Sequence, residues 1–160
     1  MPETMTTASN VALLAPVPFE HLNDGQGVVQ EKGKVAFGSR AFETFLELDK
    51  QRKGMPVDVY IYESHGEGHY DFKVSWRGRY IGFVNSDLGA HPNGMDYRPK
   101  STAKYLSDNS GYWAVFWELD SLERIPEGER IHVSEFTGHK KKKAYGHAFS
   151  PEGPLLIEHP

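Results

Sequence analysis

Three groups of residues in this chain have side chains and spacing suited to chemistry. The first is His139-Lys140-Lys141-Lys142-Lys143, a five-residue basic block followed by Tyr145, His147 and Phe149 at alternate positions. On an extended chain those three rings share one side. Basic charge beside rings is what proteins use to hold single-stranded nucleic acid, and Lys140 to Lys143 are therefore read as phosphate contacts. A solvated basic loop followed by a core-facing strand has the same composition. The second group is Trp76, Trp113 and Trp117. Flat ligands favour pockets lined by rings on rigid strands, whereas burial of the whole strand is the plainer alternative. The third is the segment His91 to Thr102, where Arg98, Lys100, Ser101 and Thr102 offer donors for a phosphate or carboxylate.

Other patterns point away from particular chemistries. His65 and His69 stand at a spacing that holds metal on a helix, but Gly66 and Gly68 break any helix there. No metal site and no cofactor is expected. The chain has no cysteine, so disulfides, thiolate metal sites and a cysteine nucleophile are excluded. No Gly-x-Ser-x-Gly elbow frames a serine, and no glycine-rich phosphate loop is present. A redox or nucleotide-hydrolysing enzyme is disfavoured.

These residues need elements to position them. Ser39 to Gly54 reads as a helix, with Ser39 as N-cap, Phe42, Phe45 and Leu46 on one face, and Gly54 then Pro56 as the stop. Val57 to Tyr62 is β-branched and aromatic, as strands are. Phe72 to Trp76 and Arg79 to Val84 read as two strands about a turn at Arg77-Gly78. Tyr112 to Leu119 is an aromatic strand, Arg130 to Ser134 a short one, and Pro154 to Ile157 a terminal one. The stretch from Asp87 to Asp108 reads as one long loop.

Residues 1–30 carry Glu3, Glu20 and Asp24 but no lysine or arginine, and so hold most of the net charge of −4. They read as a poorly ordered lead-in with prolines against a helix. Residues 31–160 read as one domain, α+β but mainly β: a small mixed, mostly antiparallel β-barrel with an early helix. No apolar run spans a membrane and no basic n-region precedes Val11 to Ala15, so a cytoplasmic protein without membrane contact is expected.

The order of elements resembles the PUA-like β-barrels, particularly their ASCH and EVE branches. Three pieces carry the likeness: Gly33-Lys34 through Arg40, Pro56 to Ser64, and Trp113 to Ile125. It covers roughly residues 32 to 157 in element order. It implies a barrel with a cleft for RNA, DNA or a modified base. Ser39, Arg40, Tyr62, Ser64, Trp76, Arg98, Trp113 and Trp117 would form that cleft. Some ASCH members are amidohydrolases acting on acetylated cytidine through a Gly-x-Lys-Thr segment and a distant Glu. By that resemblance Lys34 and Glu63 are the catalytic pair, although Val35 stands where the threonine would follow. A likeness of Val59 to Tyr62 and Tyr80 to Gly82 to GIY-YIG nucleases is set aside, because the gap is long and the first triplet lacks its glycine. The leading expectation is a binding module for nucleic acid or a nucleobase-like ligand. An ASCH-type amidohydrolase and a protein-interaction domain are the alternatives.

Overall fold

The computed structural model describes residues 7–64, 73–104, 109, 111–138 and 154–160. Strands and two helices alternate early and then give way to strands joined by loops and short 3-10 turns. Strand β1 is Ala12–Pro18, helix α1 Phe19–Lys32, β2 Val35–Ser39, α2 Phe42–Arg52, β3 Val57–Ser64, β4 Lys73–Asn85, β5 Val115–Arg124, β6 Ile131–His132 and β7 Leu155–Ile157. They form one seven-stranded sheet in the order β2-β5-β4-β3-β1-β7, with β6 paired to β4. Pairing is antiparallel except between β1 and β3, which run parallel.

The fold is α+β and mainly β, as the strand count predicts, but the sheet is open. It does not close into a barrel: β2 and β7 stand at opposite ends of the strand order and do not pair with each other. The free side of β2 is occupied by loop atoms instead of a strand. Ala36 N–H donates to Tyr97 O at 2.7 Å, and Arg98 Nη1 donates to Ala36 O at 2.7 Å. A loop that satisfies the edge at Ala36 stands there in place of a closing strand.

The segment expected to be a lead-in supplies β1 and α1. Val11 to Ala15 are buried, and β1 lies between β3 and β7. A continuous apolar run is the signature of a strand covered on both faces. Its prolines are tolerated because Pro16 and Pro18 lie beyond the last residue paired to β7, Leu14. Helix α1 tolerates Gly25 because that glycine packs closely against β2. A Cβ there would sit 3.2 Å from the Phe37 ring and 3.4 Å from Val35. Gly33, at φ 89°, ends the helix in the left-handed conformation.

Alternation along each strand divides the sheet into two faces. One face carries Leu13, Ala15 and Val17 of β1, with Val35 and Phe37, Val57, Val59 and Ile61, Trp76 and Tyr80, and Val115, Trp117 and Leu119. Leu22 and Val28 of α1 and Phe45 and Leu48 of α2 join this cluster. Phe45 stacks on Tyr80 at 5.9 Å and on Trp117 at 5.8 Å between centroids. The opposite face is covered in two places. At the β1–β3 side, Ala12, Leu14, Tyr62 and Val74 pack with Val133, Phe136 and Ile157. At the β2–β5 side, the connection between β4 and β5 folds back on Ala36, Phe116 and Glu118 through Tyr97, Arg98 and His91.

Strand β4 runs unbroken through Arg77-Gly78, where a turn is expected from the sequence. Gly78 is buried against β5, where a Cβ would come within 2.9 Å of Leu119. The irregularity falls later, as register shifts on either side of Tyr80. Helix α2 starts three residues after the expected Ser39. The Ser39 hydroxyl still accepts from Ala41 N–H at 3.0 Å, one step ahead of the helix. Among the described residues no helix is long and apolar enough to cross a membrane.

Candidate functional site

The β4–β5 connection builds a polar site on the sheet. Glu118 sits within the buried, apolar first half of β5 and is 6% exposed. Its Oε1 accepts from Lys34 Nζ at 3.1 Å, and its Oε2 is 3.2 Å from His91 Nε2. His91 is buried, and its Nδ1 accepts the backbone N–H of Asn93 at 3.0 Å. With Nδ1 engaged as an acceptor, the neutral ring carries its proton on Nε2 and donates it to Glu118. Both ring nitrogens of His91 are thereby committed, and neither offers a lone pair to a substrate. Burial pushes the Glu118 carboxyl up, but hydrogen bonds from His91 and Lys34, with the lysine's charge, outweigh it and hold the group below its ordinary value. The Lys34 ammonium also lies 4.6 Å over the Tyr97 ring, and the Lys34 side chain is 32% exposed.

Arg98 is buried close to this cluster. Its guanidinium donates to Ala36 O and, through Nε, to Asn109 Oδ1 at 3.0 Å, and it lies 4.9 Å over Phe116. It ties the connection to the edge strand and offers no open face to a phosphate. Ser101 Oγ is 2.7 Å from His21 Nδ1 and donates to Glu20 O at 3.2 Å. Thr102 donates to Pro99 O. Two donors expected to meet a ligand thus fasten the loop to α1 and to itself.

A second grouping stands at the other end of β2. Trp113 is half-buried and lies against Gly38. A Cβ on that glycine would sit 2.5 Å from each of three atoms of the five-membered ring, so the indole lies face-on over the backbone. Tyr112 is 46% exposed and meets Trp113 edge-on at 4.5 Å. The exposed Arg40 places its guanidinium 5.2 Å over the Tyr112 ring. Arg40, Tyr112 and Trp113 therefore form a ledge of guanidinium and rings beside the β2 edge.

The remaining sequence-derived residues are scattered. Trp76 and Trp117 are 1% and 2% exposed and belong to the helix-covered core. Trp76 Nε1 donates to Glu63 Oε2 at 3.2 Å, and Ser75 donates to the same oxygen at 3.1 Å. Neither indole opens onto a cleft. Tyr62 is buried in the smaller cluster, where burial raises its phenol well above the ordinary value. Ser64 ends β3 opposite Pro18. Ser39 is buried and occupied with Ala41. Lys34 and Glu63 do not meet. Val35 aligns through Leu119 and Tyr80 with Val57, at the opposite end of β3 from Glu63. Three strand spacings across and six residues along the strand separate them by on the order of 20–25 Å. Lys140, Lys141, Lys142 and Lys143, with His65, His69, Tyr145, His147 and Phe149, lie outside the described residues.

Glu118, His91, Tyr97 and Tyr112 are site residues that the sequence reading misses. One signal is available for Glu118: a single carboxylate between Trp117 and Leu119, within the apolar first half of β5. Among the described residues, no group of three His, Asp or Glu side chains is placed to hold a metal ion. No protein-family profile matches this chain, and no curated protein matches it.

Proposed function

We propose that this protein is a binding module for single-stranded nucleic acid or a nucleobase-like ligand, akin to the PUA-like domains its element order resembles. The observation that carries the reading is the ledge of Arg40, Tyr112 and Trp113, a partly exposed ring pair with a guanidinium laid over it. Bases stack on such rings without regard to sequence, each contributing about 1–3 kcal/mol. Arg40 adds charge for a phosphate. The Lys140 to Lys143 run extends the same proposal to the backbone of a longer strand.

The test is fluorescence anisotropy with labelled single-stranded RNA and DNA at low salt. The wild type binds, and Tyr112→Ala weakens binding about tenfold, the equivalent of about 1.4 kcal/mol. Because Tyr112 is exposed, the thermal midpoint of that variant stays close to wild type. Equal affinity of wild type and Tyr112→Ala removes the ledge from the proposal.

A second reading, an ASCH-type amidohydrolase, is favoured by the pairing of Lys34 with a buried carboxylate. Lys34 stands next to Gly33, one residue closer than in that family's Gly-x-Lys-Thr segment, and Glu118 takes the place given to Glu63 in the acid–base pair. Proton transfer needs both groups within hydrogen-bond reach of one atom, and at 3.1 Å from each other they can meet that condition. Acetate release from N4-acetylcytidine, abolished in Lys34→Ala, is its expected result. No release by the wild type ends it.

A further inference from the structure

Strand β2 has a free side, and alternation fixes which residues face it. Ala36 turns its N–H and C=O outward, to Tyr97 O and Arg98 Nη1. In an antiparallel pair, residues two apart present their backbone groups to the same side. Gly38 therefore turns its N–H and C=O outward as well. It pairs with Phe116 of β5 across the strand. Its nearest side-chain cover is the Trp113 indole, lying face-on where a Cβ would stand. Ser39 leads directly from this position to Arg40, whose guanidinium lies over Tyr112.

We infer that the Gly38 backbone reads the hydrogen-bonding edge of a planar heterocycle, with its N–H and C=O meeting an adjacent acceptor and donor on the ligand. The inference rests on the reading that the Arg40–Tyr112–Trp113 ledge binds a base, and supplies the polar contact that the rings lack. Stacking is tolerant of base identity, whereas a paired backbone donor and acceptor reject a ligand whose donor is blocked. Size argues for a heterocycle over an added peptide strand. Strand addition needs successive outward residues, spaced two apart. Here the outward residue before Gly38 is already filled by Tyr97 and Arg98, so among the described residues one outward position of β2 remains for a ligand. Uracil and adenine each present a donor beside an acceptor at one edge, within the width of one residue. Glycine is needed at this position because any Cβ would displace the indole that backs the edge.

The experiment measures binding of nucleosides to the full chain by quenching of tryptophan fluorescence and by calorimetry. The probes are uridine against 3-methyluridine, and adenosine against N6,N6-dimethyladenosine. The expected result is that at least one parent nucleoside binds and its methylated counterpart binds at least about tenfold more weakly. Gly38→Ala abolishes the difference by lifting Trp113 from its seat. Should that variant fail to fold, the comparison of methylated with parent ligands on the wild type decides alone. Equal binding of parent and methylated forms overturns the inference, as does failure of every parent nucleoside while oligonucleotides still bind through Tyr112. In both cases the ledge survives as a stacking platform. Absence of all oligonucleotide and nucleoside binding removes both.

Discussion

The two faces of the sheet are held by different means. On the helix-covered face, Leu13, Val35, Val59, Trp117 and their neighbours meet Leu22, Phe45 and Leu48 in an apolar cluster. On the opposite face near β2, one strand offers Phe116 and Glu118, and the contacts that cover them are polar or cation–ring: His91 and Lys34 on Glu118, Arg98 on Ala36 and Phe116. The first face gains from area removed from water. The second depends on a few directed contacts, each of which must be complete. The proposed ligand contacts lie on the second face and at its edge, where polar groups and half-exposed rings remain.

The largest effect expected from breaking this contrast is in the apolar face. Phe45 is fully buried and touches Tyr80, Phe83 and Trp117. Phe45→Ala removes a ring from the centre of the stack and leaves a cavity, costing about 3–5 kcal/mol. Urea unfolding followed by tryptophan fluorescence should show that loss. The folded fraction should bind oligonucleotides as the wild type does, since the ledge lies at the strand edge. A loss below about 1 kcal/mol, nearer the scale of a surface substitution, would show that the two helices do not close on this face.

That difference also explains what is legible in the sequence. Alternation in Val57 to Tyr62 and in the Trp113 to Leu119 run marks strands by burial alone, and β3 and β5 cover most of those runs. Helix α2 is marked in the same way only by Phe45: Phe42 and Leu46, expected beside it, are 41% and 40% exposed, and Leu48 joins Phe45 in the core instead. The lead-in misleads because Pro16 and Pro18, with Gly25, resemble loop chemistry. Their tolerance depends on β7 ending early and on Phe37 needing room, and neither is local. The site is less legible still. The Lys34–Glu118 bond joins residues 84 apart in sequence, and that of His91 to Glu118 spans 27. No spacing rule connects them. Trp76 and Trp117 look like ligand contacts by type, but the parity of their strands turns them to the helices.

An intermediate effect is expected from the polar face, and it depends on pH. Folding lowers the Glu118 pKa from its ordinary value of 4.5. A group depressed in the folded state binds fewer protons there than when unfolded. Its stabilisation is therefore present above the unfolded value and lost as pH falls through the folded one. Stability measured by urea titration should fall below about pH 4.5. Glu118→Gln should lower stability at pH 7 by about 1–3 kcal/mol, because Lys34 loses its ion pair and a neutral amide replaces the carboxylate. The variant should also show a shallower decline on acidification than the wild type. Parallel profiles would mean that Glu118 is not the carboxylate responsible.

The smallest effect is expected where the loop-covered face begins. Asp87 and Ala90 exchange two backbone hydrogen bonds, at 2.7 and 3.1 Å, across Leu88 and Gly89. Both intervening residues have positive φ, 52° and 84°, which defines the two-residue hairpin turn that favours Asn-Gly. Leucine is a poor occupant: its Cβ crowds the following carbonyl in the left-handed region, and here it is 91% exposed and gains no burial in return. Its neighbour cannot change, because a Cβ on Gly89 would stand 2.1 Å from the backbone nitrogen of Gly111. Leu88→Asn should therefore raise stability by about 0.5–1 kcal/mol, by relieving the backbone without disturbing the carbonyl that accepts from Gly111 N–H at 2.9 Å. That bond leads straight to Tyr112, so the variant separates turn strain from ledge geometry. A thermal midpoint raised by a few degrees with unchanged oligonucleotide affinity confirms that the strain is confined to the turn. A raised midpoint with weakened binding shows instead that the exposed leucine is part of the surface the ligand meets.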